Sequence, residues 1–463
     1  MTTQEPASTQ DFITSFKGFM DKAVAQVPDE EPIFLRSLRT HFGTEPKNLP
    51  TVKEEFEKAD HPNLHLALTS LLARDGWRSE LRGFVAANDH MGVKFSNLLN
   101  TQHGWDVKEG PVEYINITLH DDRVVACVQA GLYFIHHNDE PLALLVRGPR
   151  EWSMNLSADV EVMALERTSA ENFLSELRTT MRANNVYRSH VVSLKENNRG
   201  VLDVQFHRLP PIARADIILP LGVLERTERQ TIRFSKLREK LRAAGRHIKR
   251  GMLLYGSPGT GKTLTAMYLA NQMPERTVIL LTGRSIGLLE QSCKMARLLQ
   301  PATVILEDVD LIAEERTRQE AGCNALLFEL LNQMDGLADD ADILFLLTTN
   351  RPDILEPALA ARPGRIDQAI EIPLPDHICR KRLFDLYGQG LTLRLEHLPQ
   401  LIDQTEGVSA AFIRELMRKA ALFAADESDD MIVEDRHIEE ALRELVFEGG
   451  ELTKRLLGAS RAF

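Results

Sequence analysis

Long apolar runs are missing from this 463-residue chain: its most apolar stretches, Val124 to Ile135 and Ile343 to Leu347, fall well short of the ~20 residues that cross a bilayer. No membrane association is expected. Cysteine is scarce too. Cys127, Cys293, Cys323 and Cys379 include no pair at the close spacing of a zinc knuckle or redox dithiol, so we expect reduced thiols and a cytoplasmic protein. Basic charge is outnumbered, with 55 Lys and Arg against 67 Asp and Glu for a net charge of -12. That balance disfavours a surface built to grip nucleic acid or anionic lipid. The opening residues Met1 to Asp11 lack the basic-then-apolar order of a secretory leader, so no export is expected. No His-Glu-x-x-His occurs, which removes a zinc peptidase of that type, and no internal repeat stands out.

What remains is a chain with 43% apolar residues, too long for one core and suggestive of about three domains. Phe12, Phe16 and Phe19 or Met20 fall at helical spacing, and Leu64, Leu66, Leu71 and Leu72 form a second apolar run ending at Asp75-Gly76. These predict a helical subdomain over residues 1–109. Short β-rich runs follow at Val112 to Leu119, Arg123 to Val128, Leu132 to His136, Leu142 to Val146 and Val160 to Ala164. With a helix from Ala170 to Ala183 and strands near Val191 and Val201 to Phe206, they predict a mixed α/β module over 110–211, ended by Pro210-Pro211. From Ile212 apolar strands alternate with helices as in a doubly wound parallel sheet over 212–375, with strands at Met252 to Tyr255, Val278 to Thr282, Val304 to Glu307, Ile343 to Thr348 and Ala369 to Ile372. The remainder, 376–463, reads helical: Ile413, Leu416, Met417 and Ala420 share one helix face.

The chemistry concentrates in the parallel-sheet region. Gly256-Ser-Pro-Gly-Thr-Gly-Lys-Thr263 fits the phosphate-loop pattern, placed after a strand and before an apolar helix. Glycines let backbone N–H groups approach a phosphate, and the helix adds its positive end. Lys262 would bridge the β- and γ-phosphates of ATP and Thr263 would ligate Mg2+. Some forty residues on, Val304-Ile-Leu-Glu-Asp-Val-Asp310 is an apolar strand ending in acids, at the edge where ligands bind to parallel sheets. One carboxylate there holds the metal shell and its neighbour polarises the attacking water.

Together with Leu331-Asn-Gln-Met-Asp-Gly-Leu337, Thr348-Thr-Asn-Arg-Pro352 and Arg362-Pro-Gly-Arg365-Ile-Asp367, these motifs resemble the AAA family over roughly Ile212 to Leu445, with likeness to FtsH-like and valosin-like modules. The resemblance implies an α/β fold, a P-loop NTPase parallel sheet with a C-terminal helical lid behind an N-terminal region of another kind. It implies a nucleotide cradle of Ser257, Pro258, Gly259, Thr260, Gly261, Lys262, Thr263 and Leu264, with Asn350 as a polar sensor. Arg362 and Arg365 would reach the nucleotide of a neighbouring subunit, as a cation supplied in trans stabilises the transferring phosphoryl group. Gly222 and Val223 would lie near the adenine, Ser409 and Ala410 at the closing lid, and Tyr387 where many relatives carry a ribose-contacting histidine. Ser409 reads equally well as a helix N-cap.

Three departures shape the expectation. The acids read Glu307-Asp308 rather than Asp-Glu, similar to the mitochondrial AAA translocase that moves the folded Rieske protein. We assign Glu307 to the metal and Asp308 to the water; the shorter base points to slow turnover. The loop Glu356 to Arg362 carries one residue more than the family pattern, which leaves open which arginine is the finger. No aromatic stands between Thr282 and the acidic strand, where threading unfoldases grip their client; Ile286 and Leu288 are the nearest apolar residues, and a core role suits them better. The run His136-His-Asn-Asp-Glu140 reads as a hairpin loop rather than a metal cluster, and Lys236 to Arg250 as a solvated helix face. The leading expectation is a Mg-ATP-dependent homohexameric machine that remodels, unfolds or translocates a protein client. A nucleotide-switched adaptor or scaffold is the alternative, and nucleic-acid remodelling the least favoured.

Overall fold

The computed structural model describes residues 13–19, 31–86, 92–100, 107–150, 156–282, 286–310, 325–336, 338, 340–353, 365–428 and 430–448. Among them no helix is long and apolar enough to cross a membrane. The chain divides into two compact units, 1–184 and 185–463.

The first unit is built on an antiparallel seven-stranded sheet, ordered β1-β7-β6-β5-β2-β3 with β4 also on β5. Its strands are β1 (Thr51–Phe56), β2 (Trp77–Ala86), β3 (Val107–Gly110), β4 (Glu113–Thr118), β5 (Val124–His137), β6 (Glu140–Arg147) and β7 (Ala158–Ala164). Alternation along β6 sends Leu142, Leu144 and Val146 to one face, under helices His61–Leu72 and Arg167–Ala183. Ala143 and Leu145 go to the other, under helix Ile33–Phe42. Both faces are therefore core.

This differs from the expected helical subdomain over 1–109, because β1 and β2 lie inside it and β3 begins there. Thr51-Val-Lys-Glu-Glu-Phe56 is rich in helix-compatible Lys and Glu, yet Val52 and Phe56 pack on the same core as Val160 and Val162. Pairing with β7 overrides local propensity. After the Asp75-Gly76 turn, with Gly76 at φ 86°, the chain enters β2. Residues 13–19 are helical with Ile13, Phe16 and Phe19 more than half exposed; Phe12 and Met20 lie outside the described residues. The two runs expected at 123–128 and 132–136 form one strand, β5, passing through Gly131, where a side chain would stand 2.8 Å from Leu81 Cδ1. His136 to Glu140 is a two-residue hairpin through Asn138 and Asp139, both at positive φ.

The second unit carries a seven-stranded sheet ordered β14-β10-β13-β12-β11-β8-β9. Here β8 is Val191–Glu196, β9 Leu202–His207, β10 Arg250–Tyr255, β11 Thr277–Leu281, β12 Ala302–Leu306, β13 Ile343–Thr349 and β14 Gln368–Glu371. The β14-to-β8 run is parallel and only β9 is antiparallel. β12 and β13 are buried throughout, as parallel strands covered on both faces must be. The break expected at Pro210-Pro211 therefore moves upstream: β8 joins β11, so residues 191–207 extend this sheet instead of the N-terminal module.

After β14, Asp376 caps helix His377–Tyr387 by accepting from the Cys379 N–H at 2.8 Å. Leu383, Phe384, Phe412, Ile413, Leu416, Met417 and Ile438 form a separate core there. This C-terminal region is not purely helical, since Thr392–Arg394 and Ile432–Glu434 pair as a parallel two-stranded ladder. The basic run is tied into its own unit: Arg238 meets Asp342 at 3.3 Å, and the Lys249 ammonium donates to the Met334 carbonyl at 3.0 Å.

Candidate active site

At the C-terminal end of β10 the chain turns out of the sheet through Gly256 (φ 149°), where any side chain would meet the Ile372 carbonyl at 2.3 Å. Three residues on, Gly259 lies at φ 74°, and a Cβ there would stand 2.7 Å from Ser409 Oγ and 2.8 Å from Ala411 Cβ. Only glycine combines that conformation with that approach. The chain then enters helix Lys262–Asn271. The Gly259 carbonyl accepts from the Ala411 N–H at 3.1 Å, so the loop is tied directly to the start of helix Ala410–Glu427.

Loop and helix together bound a cavity of about 370 Å³, within the range of small-molecule sites. Its wall holds Pro258 to Thr265, Asp308 and Asn350, then Asp216 to Leu219, Leu383, Tyr387, Ala410, Ala411 and Arg414. Lys262 is buried and its ammonium donates to the carbonyls of Gly256 (3.0 Å) and Ser257 (2.8 Å). Burial pulls its pKa down to about 8, opposed by the nearby charges of Asp308 and Asp310. A cation held in so dry a place is a ready anion partner.

The acids follow β12. Asp308 takes φ 47°, its N–H donates to Thr348 Oγ1 at 3.0 Å, and Asn350 Nδ2 donates to its carboxylate at 3.2 Å. This left-handed conformation admits Asp or Asn far more readily than longer residues, which gives the Glu-Asp order a physical reason. Glu307 precedes the turn and is absent from the cavity wall; its Oε1 is buried without a hydrogen-bond partner. Burial, then the charge of Asp308, raises its pKa. Asp310 is a residue the sequence reading passed over. Its carboxylate accepts from Thr349 Oγ1 (2.8 Å) and the Asn350 N–H (3.1 Å), locking the end of β13 beside the acids.

Not every expected residue reaches the cavity. Gly222, at φ 83°, precedes helix Val223–Glu228, and both Gly222 and Val223 stand outside the wall that Asp216 to Leu219 form. Ser409 also stands off it and caps the following helix, accepting from the Phe412 N–H at 3.2 Å. Ala410 and Tyr387 do line it, joined by Arg414, which falls on the same helix face as Ala410 and was not anticipated. Arg365 forms a two-bond pair with Asp335 at 2.6 and 2.8 Å, while Arg362 lies outside the described residues. Leu288 is buried; the side chain of Ile286 lies outside the description.

The loop, the acids and Asn350 thus converge at the ends of β10, β12 and β13. Residues 252–374 match the family described as ATPase family associated with various cellular activities (AAA). The chain is 32% identical over 252 residues to a proteasome-activating nucleotidase of Thermococcus gammatolerans, covering 50% of this chain and 60% of that protein. It is 33% identical over 202 residues to a 26S proteasome regulatory subunit 10B of Dictyostelium discoideum, covering 40% and 50%. It is 28% identical over 321 residues to a 26S proteasome regulatory subunit 6B homolog of Aspergillus niger, covering 62% and 74%. The chain thus spans about half to three-fifths of the length of the first two relatives.

Proposed function

We propose that this chain, whose residues 252–374 match the AAA family, is an ATP hydrolase that works as a homohexameric ring, using Mg-ATP turnover to remodel, unfold or translocate a protein client. The observation that carries the reading is the meeting of Lys262, Asp308 and Asn350 on one cavity, with Asn350 bonded to Asp308 at 3.2 Å. In this assignment Ser257 to Leu264 cradle the phosphates, Lys262 neutralises them and Asn350 orients Asp308, the base for the attacking water. Thr263 and Glu307 would hold the Mg2+ shell. The unpartnered Glu307 Oε1 and the cavity-facing Thr263 suit the oxygen donor set of a hard cation. Magnesium would spread the charge of the transferring phosphate. Arg365, with Arg362, supplies positive charge to a neighbouring subunit's nucleotide. The relatives' names tie them to the proteasome, which supports a protein as the client class, and the module at 1–184 is the part left to select it.

Asp308→Asn tests the assignment, because Asn keeps the left-handed backbone and the bond to Asn350 while removing the base. Mg-ATP binding should persist while turnover falls at least a hundredfold, roughly. Undiminished turnover would remove Asp308 from the role.

A second reading, the nucleotide-switched adaptor or scaffold, draws support from the retracted base and from a Glu307 whose charged form burial disfavours. It predicts client release by a non-hydrolysable ATP analogue, with the client still folded.

A further inference from the structure

The cavity has two chemically different ends. Lys262, buried within the loop with its ammonium on the Gly256 and Ser257 carbonyls, marks one end as the place for phosphate. The other is built from the lid: Ile218, Leu383 and Tyr387 belong to the lid core, and the charge of Arg414 acts on the Tyr387 phenol, opposing the burial that raises its pKa. Arg414 follows Ala410 and Ala411 by four and three positions on helix Ala410–Glu427, so all three share the face that lines the cavity. The two alanines leave room beside the long side chain.

Arg414 has no hydrogen bond or ion pair among the described residues, and its neighbour Glu415 is held by Arg418 through two bonds of 2.8 and 2.6 Å. A guanidinium only donates, and its flat face stacks on aromatic rings. The group it meets must offer acceptors or a π face. The phosphates of a nucleotide seated on Lys262 extend toward the loop, which leaves the ribose hydroxyls and the base for the lid end.

We infer that Arg414 recognises the nucleoside part of ATP, donating to ribose hydroxyls and packing on the base from the lid. Resting on the nucleotide reading above, this adds a discriminating contact that links the lid to the whole nucleotide rather than to phosphate alone. Selectivity for ATP over inorganic polyphosphate then resides partly in a residue exposed at the cavity mouth.

Binding of Mg-ATP and of inorganic tripolyphosphate to the full chain, measured by calorimetry for wild type, Arg414→Ala, Arg414→Lys and Lys262→Ala, tests it. Arg414→Ala should weaken ATP roughly tenfold and leave tripolyphosphate unchanged. Arg414→Lys should recover only part, because the flat fork is lost. Unchanged ATP affinity in Arg414→Ala, or an equal loss for tripolyphosphate, would overturn the inference. If Lys262→Ala alters neither ligand, the nucleotide reading itself falls and takes the inference with it.

Discussion

The two units each raise a seven-stranded sheet with both faces covered, yet among the described residues the parallel one alone brings a glycine-rich loop, acids and a polar side chain to a single sheet edge. Direction explains it. In the parallel sheet β10, β12 and β13 all end at the same rim, so Gly256, Glu307 and Asn350 leave the core side by side. In the antiparallel sheet successive strands end at opposite rims, and hairpins such as Asn138-Asp139 use up those ends. The N-terminal unit thus offers faces and loops, whereas the C-terminal unit offers a constructed cavity.

Both units also bury an arginine, and the contrast is instructive. Arg276 sits at the rim opposite the cavity, donating to Asp342 Oδ1 (2.6 Å), the Asp342 carbonyl (3.0 Å), the Ala302 carbonyl (2.5 Å) and Thr303 Oγ1 (3.0 Å). It ties the beginnings of three parallel strands. Arg147 instead bonds Glu161 at 2.8 Å and the Val93 carbonyl on one face of its sheet, leaving its Nε unpartnered.

The sharpest way to break the comparison is to remove each arginine. Arg276→Ala and Arg147→Ala should each destabilise their own unit by about 3 kcal/mol, because a buried carboxylate loses its buried guanidinium and keeps only its second partner, Arg238 for Asp342 and the Phe95 N–H for Glu161. Followed by denaturant unfolding with a nucleotide-binding readout, Arg276→Ala should lower the midpoint for loss of binding and Arg147→Ala should not. A shared shift would show that the units do not unfold independently. Next in size, Lys262→Ala should weaken Mg-ATP binding by about a hundredfold, since a charge-assisted contact in a dry site is lost, without moving the unfolding of the first unit.

A pH series sharpens the same contrast. Phosphate favours the charged Lys262, whose pKa lies at about 8, and rises on binding. ATP affinity should therefore be full below pH 8 and fall as pH increases beyond it, by up to about tenfold per unit, with the dependence absent in Lys262→Ala. The smallest effect is Ser409→Ala, which removes a helix cap at the loop contact and should lower stability by about 1 kcal/mol.

Much of the cavity wall was legible because the glycine-rich loop and the acid-ended strand are each short contiguous runs, and these and Asn350 are tied to strand ends by topology. The rest depends on side chains meeting across distance. Asp310 reads as one more acid until Thr349 and Asn350 are seen bonding to it, and Arg414 as a solvated charge until the loop is seen against Ala411. In the fold, β1 was hidden by its Lys and Glu, and the place of β8 by a pairing with β11 nearly ninety residues on. Non-local partners decide such strands, and no local pattern carries that information.

The central claim, that this cavity hydrolyses ATP and is completed by a second copy, is tested most directly by turnover against protein concentration for wild type and Arg365→Ala, with particle mass read on the same samples. The account predicts that turnover rises steeply with ring formation and that Arg365→Ala forms rings and binds Mg-ATP but turns over far more slowly. Full turnover by monomers, with Arg365 dispensable, would contradict it.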